Sequence, residues 1–212
     1  MRIAKMLTGV MLLAFLAPAM AAAPVEGKDY VRLNTPPAAG QQKIVVTEFF
    51  SYQCPHCYSF AKPFASWQRS LPPDVTVERV PVAFGRPQWE PAARAYLTLS
   101  QMKLLAKTDD ALFDAIHRQG IRLDTDDSMI RWAGTQGIDS KLFESQYRSF
   151  GVATQMKSAD LKSRTFQIPS IPAIVVDGRY LVSIVDNGSF KDQLAVVDEL
   201  INRARKEKPR KP

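Results

Sequence analysis

Ser51-Tyr52-Gln53-Cys54-Pro55-His56-Cys57-Tyr58 holds both cysteines of a 212-residue chain, spaced C-x-x-C. Directly before it runs Ile44-Val45-Val46-Thr47-Glu48-Phe49-Phe50, short and rich in β-branched and aromatic residues, the composition of a buried strand. Behind Cys57, the segment Tyr58 to Trp67 carries Phe60, Phe64 and Trp67 at helical spacing. Pro55 suits the first turn of that helix, where an N–H has no intrahelical partner to lose. A strand that turns straight into a helix here places Cys54 at the N-cap, its sulfur facing unpaired backbone N–H groups.

That position sets the chemistry. A helix N-terminus carries partial positive charge and free donors, and both favour a thiolate over a thiol. A cationic His56 would add a second stabilising charge. Cys54 is therefore expected to be the exposed attacking sulfur and Cys57, one turn further in, the buried resolving one. Two thiols at this spacing can close into a disulfide and reopen by exchange. Other uses of C-x-x-C fit less well. Covalent haem attachment needs a histidine where Tyr58 stands. Structural zinc wants about four Cys or His ligands, and the chain has two of each. An inert structural disulfide closing so small a loop would remove little unfolded-state entropy. A redox dithiol is the leading reading, with metal or copper handling and an inert bond left open behind it.

The rest of the chain gives this motif its setting. Met1 to Lys5 is basic, Met6 to Ala17 is apolar, and Ala19-Met20-Ala21 fits a small-x-small cleavage site. Residues 1–21 read as a secretory signal, too short for a spanning helix. The mature chain would then work where disulfides persist, and two cysteines in a single motif suit a protein that handles other proteins' disulfides. Ala22 to Gln42 is an irregular, Pro- and Gly-bearing lead-in. After the first helix, Leu71-Pro72-Pro73-Asp74 is a break, and Val75 to Val82 alternates as a second strand.

From Pro87 the pattern turns helical. Pro87–Lys107 reads as one long helix, followed by Asp109–Gln119 with Thr108 as N-cap and Gly120 as stop. Asp127–Gln136 ends at Gly137, Asp139 or Ser140 caps a helix running to Phe150, and Val152–Thr165 is the last of the group. Strand chemistry resumes at Ile171-Pro172-Ala173-Ile174-Val175-Val176. Asp177-Gly178 is a strong hairpin signal before Tyr180 to Ile184. Phe190 to Arg205 closes the chain as an amphipathic helix. The expected architecture is α/β, a thioredoxin fold built from residues 22–85 and 161–212, with an all-helical insertion domain at 86–160.

Glu48 through Tyr58, and Ile171-Pro172-Ala173 with the following strand and Asp177-Gly178-Arg179-Tyr180, resemble the active site of the DsbA family of periplasmic thiol:disulfide oxidoreductases. With the helical insertion, the likeness covers essentially the whole mature chain. The resemblance implies a dithiol oxidase that gives its Cys54–Cys57 disulfide to newly secreted proteins carrying free thiols. It needs no further cofactor or metal, and a DsbB-like membrane partner that passes electrons to quinone reoxidises it. It further implies a cis Pro172 facing the dithiol, and an Ile171 backbone placed to pair with extended substrate. Tyr52 and Gln53 would line the approach and make it more polar. Glu48 matches a buried acid that assists proton transfer at the inner cysteine, and Arg79 stands where the family has a lysine. An arginine does not release its proton, so pairing is the role expected of it. Pro81 replaces a family histidine, removing a titratable group.

His117 reads as structural or surface, remote from the motif, and Trp67, Trp89 and Trp132 as core. The formal charge of +7 includes Arg2 and Lys5 of the signal, while Arg203 to Pro212 holds six Lys/Arg against one Glu. The folded body is near neutral, and the tail is expected to be a frayed, solubilising end. No stacking aromatics accompany it, so nucleic acid is not a partner, and a monomer is expected. A reductase or isomerase, or a metal-handling or redox-inert chaperone module, are the other function classes.

Overall fold

The computed structural model describes residues 23–35, 42–184 and 189–208. The signal segment 1–21, part of the lead-in and the last four residues lie outside them. Strands β1 (Val31–Arg32), β2 (Ile44–Phe50), β3 (Val75–Pro81), β4 (Ala173–Val176) and β5 (Tyr180–Ser183) form one sheet in the order β1-β5-β4-β2-β3. β2 runs parallel to β3 and antiparallel to β4, and β4–β5 and β5–β1 are antiparallel. The parallel pair needs a crossover, which helix α1 (Pro55–Gln68) supplies. The antiparallel pair β4–β5 needs only a tight turn. Asp177 and Gly178 both have positive φ, +50° and +70°, as a type I′ hairpin requires.

β2 is buried along nearly its whole length because both faces of the sheet are covered. Ile44 and Val46, with Ile174 and Val176, pack under Phe60 and Phe64 of α1. Leu194, Val197, Leu200 and Ile201 of the closing helix, Phe190–Glu207, complete that layer. Phe49, Ala173 and Val175 face the other way, against Ala159 and Ile168. Alternation with period two thus sends Val46, Glu48 and Phe50 to the α1 face. α1 answers with Cys57, Phe60, Ala61 and Phe64, the i, i+3, i+4, i+7 stripe of a half-buried helix.

Between β3 and β4 lies the helical insertion: α2 (Glu90–Gln101), α3 (Leu105–His117), α4 (Asp126–Thr135), α5 (Ser140–Tyr147) and α6 (Phe150–Thr165), after one 3-10 turn at Pro87–Trp89. The closing helix is α7. Leu99, Leu112, Phe113, Met129, Trp132, Phe143 and Tyr147 form a second core, which continues into Phe50, Tyr52 and Cys57. The active-site turn therefore sits on the seam between sheet and insertion.

Several expectations need correction. The long helix expected over Pro87–Lys107 is broken: Lys103 adopts a left-handed conformation, φ +58°, and α3 starts at Leu105. Thr108 is consequently inside α3, its hydroxyl donating to the Leu104 carbonyl at 2.9 Å, and is not a cap. The helix from Asp139 stops at Tyr147, and Ser149 caps a separate α6 by accepting from the Val152 N–H. β1 lies in the lead-in expected to be irregular, and it is fixed by pairing with β5 and by Arg32, which reaches Glu26 and Glu207. The basic end is not frayed as far as Lys208. Arg205 pairs with Asp74 at 2.7 Å, Lys208 with Asp177 at 3.2 Å, and Arg203 hydrogen-bonds the Tyr30 hydroxyl. Trp132 is buried, whereas Trp67 and Trp89 only pack against the core margins.

Candidate active site

Cys54 is the N-cap of α1, with extended backbone (φ −93°, ψ 119°), and Pro55 occupies the first turn. No side chain caps the helix, so the first-turn N–H groups are open to a sulfur. Both cysteines are free thiols. The Cys54 thiol is lowered to about 6. The Cys57 thiol donating to its sulfur contributes most, the backbone N–H groups of Cys57 and His56 add to it, and the His56 charge contributes less. Partial burial opposes them and loses. Cys57 is pushed the other way, upward, by burial first and then by its neighbour's sulfur. One thiol of the pair is poised to be an anion at neutral pH and the other is held neutral.

Cys54 is less open than the sequence suggested: the residue is 6 % exposed and Cys57 1 %. Pro55 and His56 form the exposed rim. Across from the sulfur, the Ile171–Pro172 peptide bond is cis, and Cys54 Sγ lies 3.7 Å from the Ile171 carbonyl oxygen. Ile171 is half-buried and Pro172 buried. The structure thus brings Cys54, Cys57, Pro55, His56, Ile171 and Pro172 together across 117 residues of chain separation.

Glu48 is 1 % exposed and near enough to Cys57 for its charge to raise that thiol. The parallel register sets it directly beside Arg79, whose Nε donates to its carboxylate at 2.5 Å. Burial raises the Glu48 carboxyl, and the Arg79 charge pulls it back only in part. Arg79 also donates through Nη1 to Asp109 of α3 at 2.8 Å and lies over the Phe50 ring, 4.2 Å from its centroid. A buried charge requires such partners.

Two residues expected to line the approach are turned elsewhere. Tyr52 is 1 % exposed, and its hydroxyl donates to Asp109 from within an aromatic cluster with Phe50, Tyr96 and Phe113. Gln53 is half-buried, and its amide donates to the Leu123 carbonyl at 3.1 Å. These side chains fasten the active-site turn to the insertion. His117, expected to be remote from the motif, lies against it. Its Nε2 is 2.7 Å from the Tyr52 carbonyl oxygen, and its ring stacks on Tyr58 at 4.9 Å. Tyr58 in turn donates to Asp114 at 2.9 Å. His117 and Asp109 escaped the sequence reading because they lie 65 and 57 residues from Tyr52. Their only sequence signal was a polar stripe on an amphipathic helix, which solvent explains equally well.

Among the described residues no three His, Cys, Asp or Glu side chains converge to hold a metal ion. The C-x-x-C lacks the further ligands a structural zinc would need.

Comparison with known proteins agrees with this geometry. The family model of the DSBA-like thioredoxin domain matches residues 45–195. The thiol:disulfide interchange protein DsbA of Azotobacter vinelandii is 39% identical over 180 residues, covering 84% of this chain and 84% of that protein. Its namesake from Pseudomonas aeruginosa is 36% identical over 180 residues, covering 84% and 85%. The crystal structure of Pseudomonas aeruginosa DsbA superposes with a TM-score of 0.80 at 35% identity, over 85% of this chain and 94% of that one. For the oxidoreductase DsbA from Xylella fastidiosa the TM-score is 0.78 at 30% identity, over 87% and 100%. The thiol at the helix N-cap, its buried partner one turn inward and the fold agree with the family model and the relatives, and the chain belongs to the DsbA family of thiol:disulfide oxidoreductases.

Proposed function

We propose that the chain is a periplasmic dithiol oxidase, brought there by residues 1–21 as a cleaved signal, with the Cys54–Cys57 disulfide as its only redox centre. The observation that carries the reading is the opposed pair of thiols, Cys54 lowered to about 6 and Cys57 raised. A substrate thiolate attacks Cys54 Sγ, the Cys54–Cys57 bond breaks, and Cys57 leaves and takes a proton from Glu48. A second substrate thiolate then attacks the substrate sulfur of the mixed disulfide, and Cys54 departs as a thiolate. The substrate loses two electrons and the chain gains them. Stabilising the departing Cys54 thiolate pulls both steps forward, which makes the disulfide oxidising.

Substrates are secreted proteins that still hold free thiols. An extended substrate segment lies along the Ile171–Pro172 edge, where recognition through backbone leaves side-chain sequence largely unread. A quinone-linked membrane protein of the DsbB type restores the disulfide, and the chain acts as a monomer. Equilibration in glutathione buffers of graded poise is the test. An oxidase becomes reduced in mildly reducing buffer. A chain that stayed oxidised there would be a reductase, and one without a reversible couple would be redox-inert.

A further inference from the structure

Arg79 is asked to serve two carboxylates. Its Nε is 2.5 Å from Glu48 Oε2 and its Nη1 2.8 Å from Asp109 Oδ2. Glu48 belongs to the sheet and Asp109 to α3 of the insertion, and Tyr52 donates to the other oxygen of Asp109. One guanidinium cannot fully neutralise two acids, so whatever strengthens Asp109 weakens the hold on Glu48. We propose that Asp109 is a positioning residue for the dithiol reaction, which, by competing for Arg79, keeps the proton on Glu48 available to Cys57.

The inference rests on the reading of Glu48 as the acid that serves Cys57. In substrate oxidation the Cys54–Cys57 bond breaks and the Cys57 sulfur leaves with the electron pair. An Oε–H bond of Glu48 then breaks as the Cys57 S–H bond forms. Only the protonated acid can do this. Burial lifts Glu48, Arg79 lowers it, and the Asp109 charge raises it again. The charged and titratable groups that feel this carboxyl are Cys57 on α1, Arg79 on β3, Tyr96 on α2 and Asp109 on α3. Of these, only Asp109 both carries negative charge and shares the guanidinium that Glu48 depends on. Tyr52 sets the strength of the competitor: its hydroxyl satisfies part of the Asp109 charge and so relieves Arg79.

The test is the pH profile of substrate oxidation by the full-length mature protein, read by stopped-flow with a fluorescent dithiol peptide. Alongside it, the Glu48 carboxyl is titrated by infrared difference spectroscopy. In Asp109→Asn, Arg79 turns wholly to Glu48, and the alkaline limb should move down by about one pH unit, a tenfold loss of rate on that limb. The infrared midpoint should fall with it. Tyr52→Phe deprives Asp109 of a donor, strengthens its demand on Arg79 and should move both readouts up. It keeps the ring and serves should Asp109→Asn not fold. An unmoved limb and midpoint in either folded variant overturns the inference, as does a shift in the same direction for both. Glu48→Gln separates the two readings. Loss of the limb there, with no response to Asp109→Asn, removes Asp109 alone. A limb retained in Glu48→Gln removes the role of Glu48 itself, and the present inference with it.

Discussion

The reduced form should gain stability relative to the disulfide form as pH rises above about 6. The cause is the Cys54 thiolate, whose folded pKa is about 6 against 9.0 for the unperturbed thiol. A depressed acid gives the native state its full advantage above the unfolded value and loses it as pH falls through the folded one. At ~1.36 kcal/mol per unit this amounts to about 3 kcal/mol at pH 8, about 1 at pH 7 and almost nothing at pH 5. Solvent at the helix mouth screens the charge and brings the pH 8 figure to roughly half. The raised Cys57 stays neutral throughout this window and drops out. For a chain of this size ~1 kcal/mol moves the melting temperature by about 2–4 °C. The reduced form should therefore gain about 3–6 °C over the oxidised form between pH 5 and pH 8, measured by circular dichroism on both forms in the same buffers. Other titrations are common to the two forms at each pH, and the loop entropy of the disulfide is the same at both pH values, so both cancel from the change in separation. Melting curves of the two forms that keep a constant separation from pH 5 to pH 8 would refute the reasoning.

His56→Ser should raise the Cys54 pKa by less than about one unit, because the Cys57 thiol and the backbone N–H groups outrank the imidazole charge; thiolate titration checks it, and a shift of about two units would reverse the ranking. Arg79→Met should destabilise the fold by about 3–5 kcal/mol in urea titration, since Glu48 would remain buried without its cation. Glu48→Gln in that background should recover much of the loss, and a purely additive double variant would contradict the pairing. Cys57→Ser should accumulate mixed disulfides with substrate on non-reducing gels while Cys54→Ser accumulates none; equal behaviour would argue against the assigned roles.

What could be read from the sequence was what is local. Pro55 at a first turn, Cys54 at its cap and the Asp177-Gly178 turn each declare themselves within a few residues. The apolar run of β2 was legible too as a buried strand, with Glu48 the one charge inside it. Breaks made by single non-glycine residues were not legible. Lys103 takes a left-handed conformation where the chain passes from α2 to α3, against its own preference. β1 is two residues long, too short to carry a period, and exists because β5 offers an edge. The largest omission was the second half of the site. Asp109 and His117 reach the active-site turn through the tertiary arrangement of α3, and nothing in their immediate neighbours distinguishes them from a solvated helix face. Tyr52 was misplaced for the same reason: a tyrosine beside a reactive cysteine reads as substrate-facing until the aromatic cluster under it is known.

The most direct measurement is the ultraviolet thiolate absorbance of the reduced protein as a function of pH, with Cys57→Ser as the assignment control. The account predicts a single ionisation near 6 belonging to Cys54, with Cys57 silent across the accessible range. A midpoint near 9, the value of an unperturbed thiol, would contradict it.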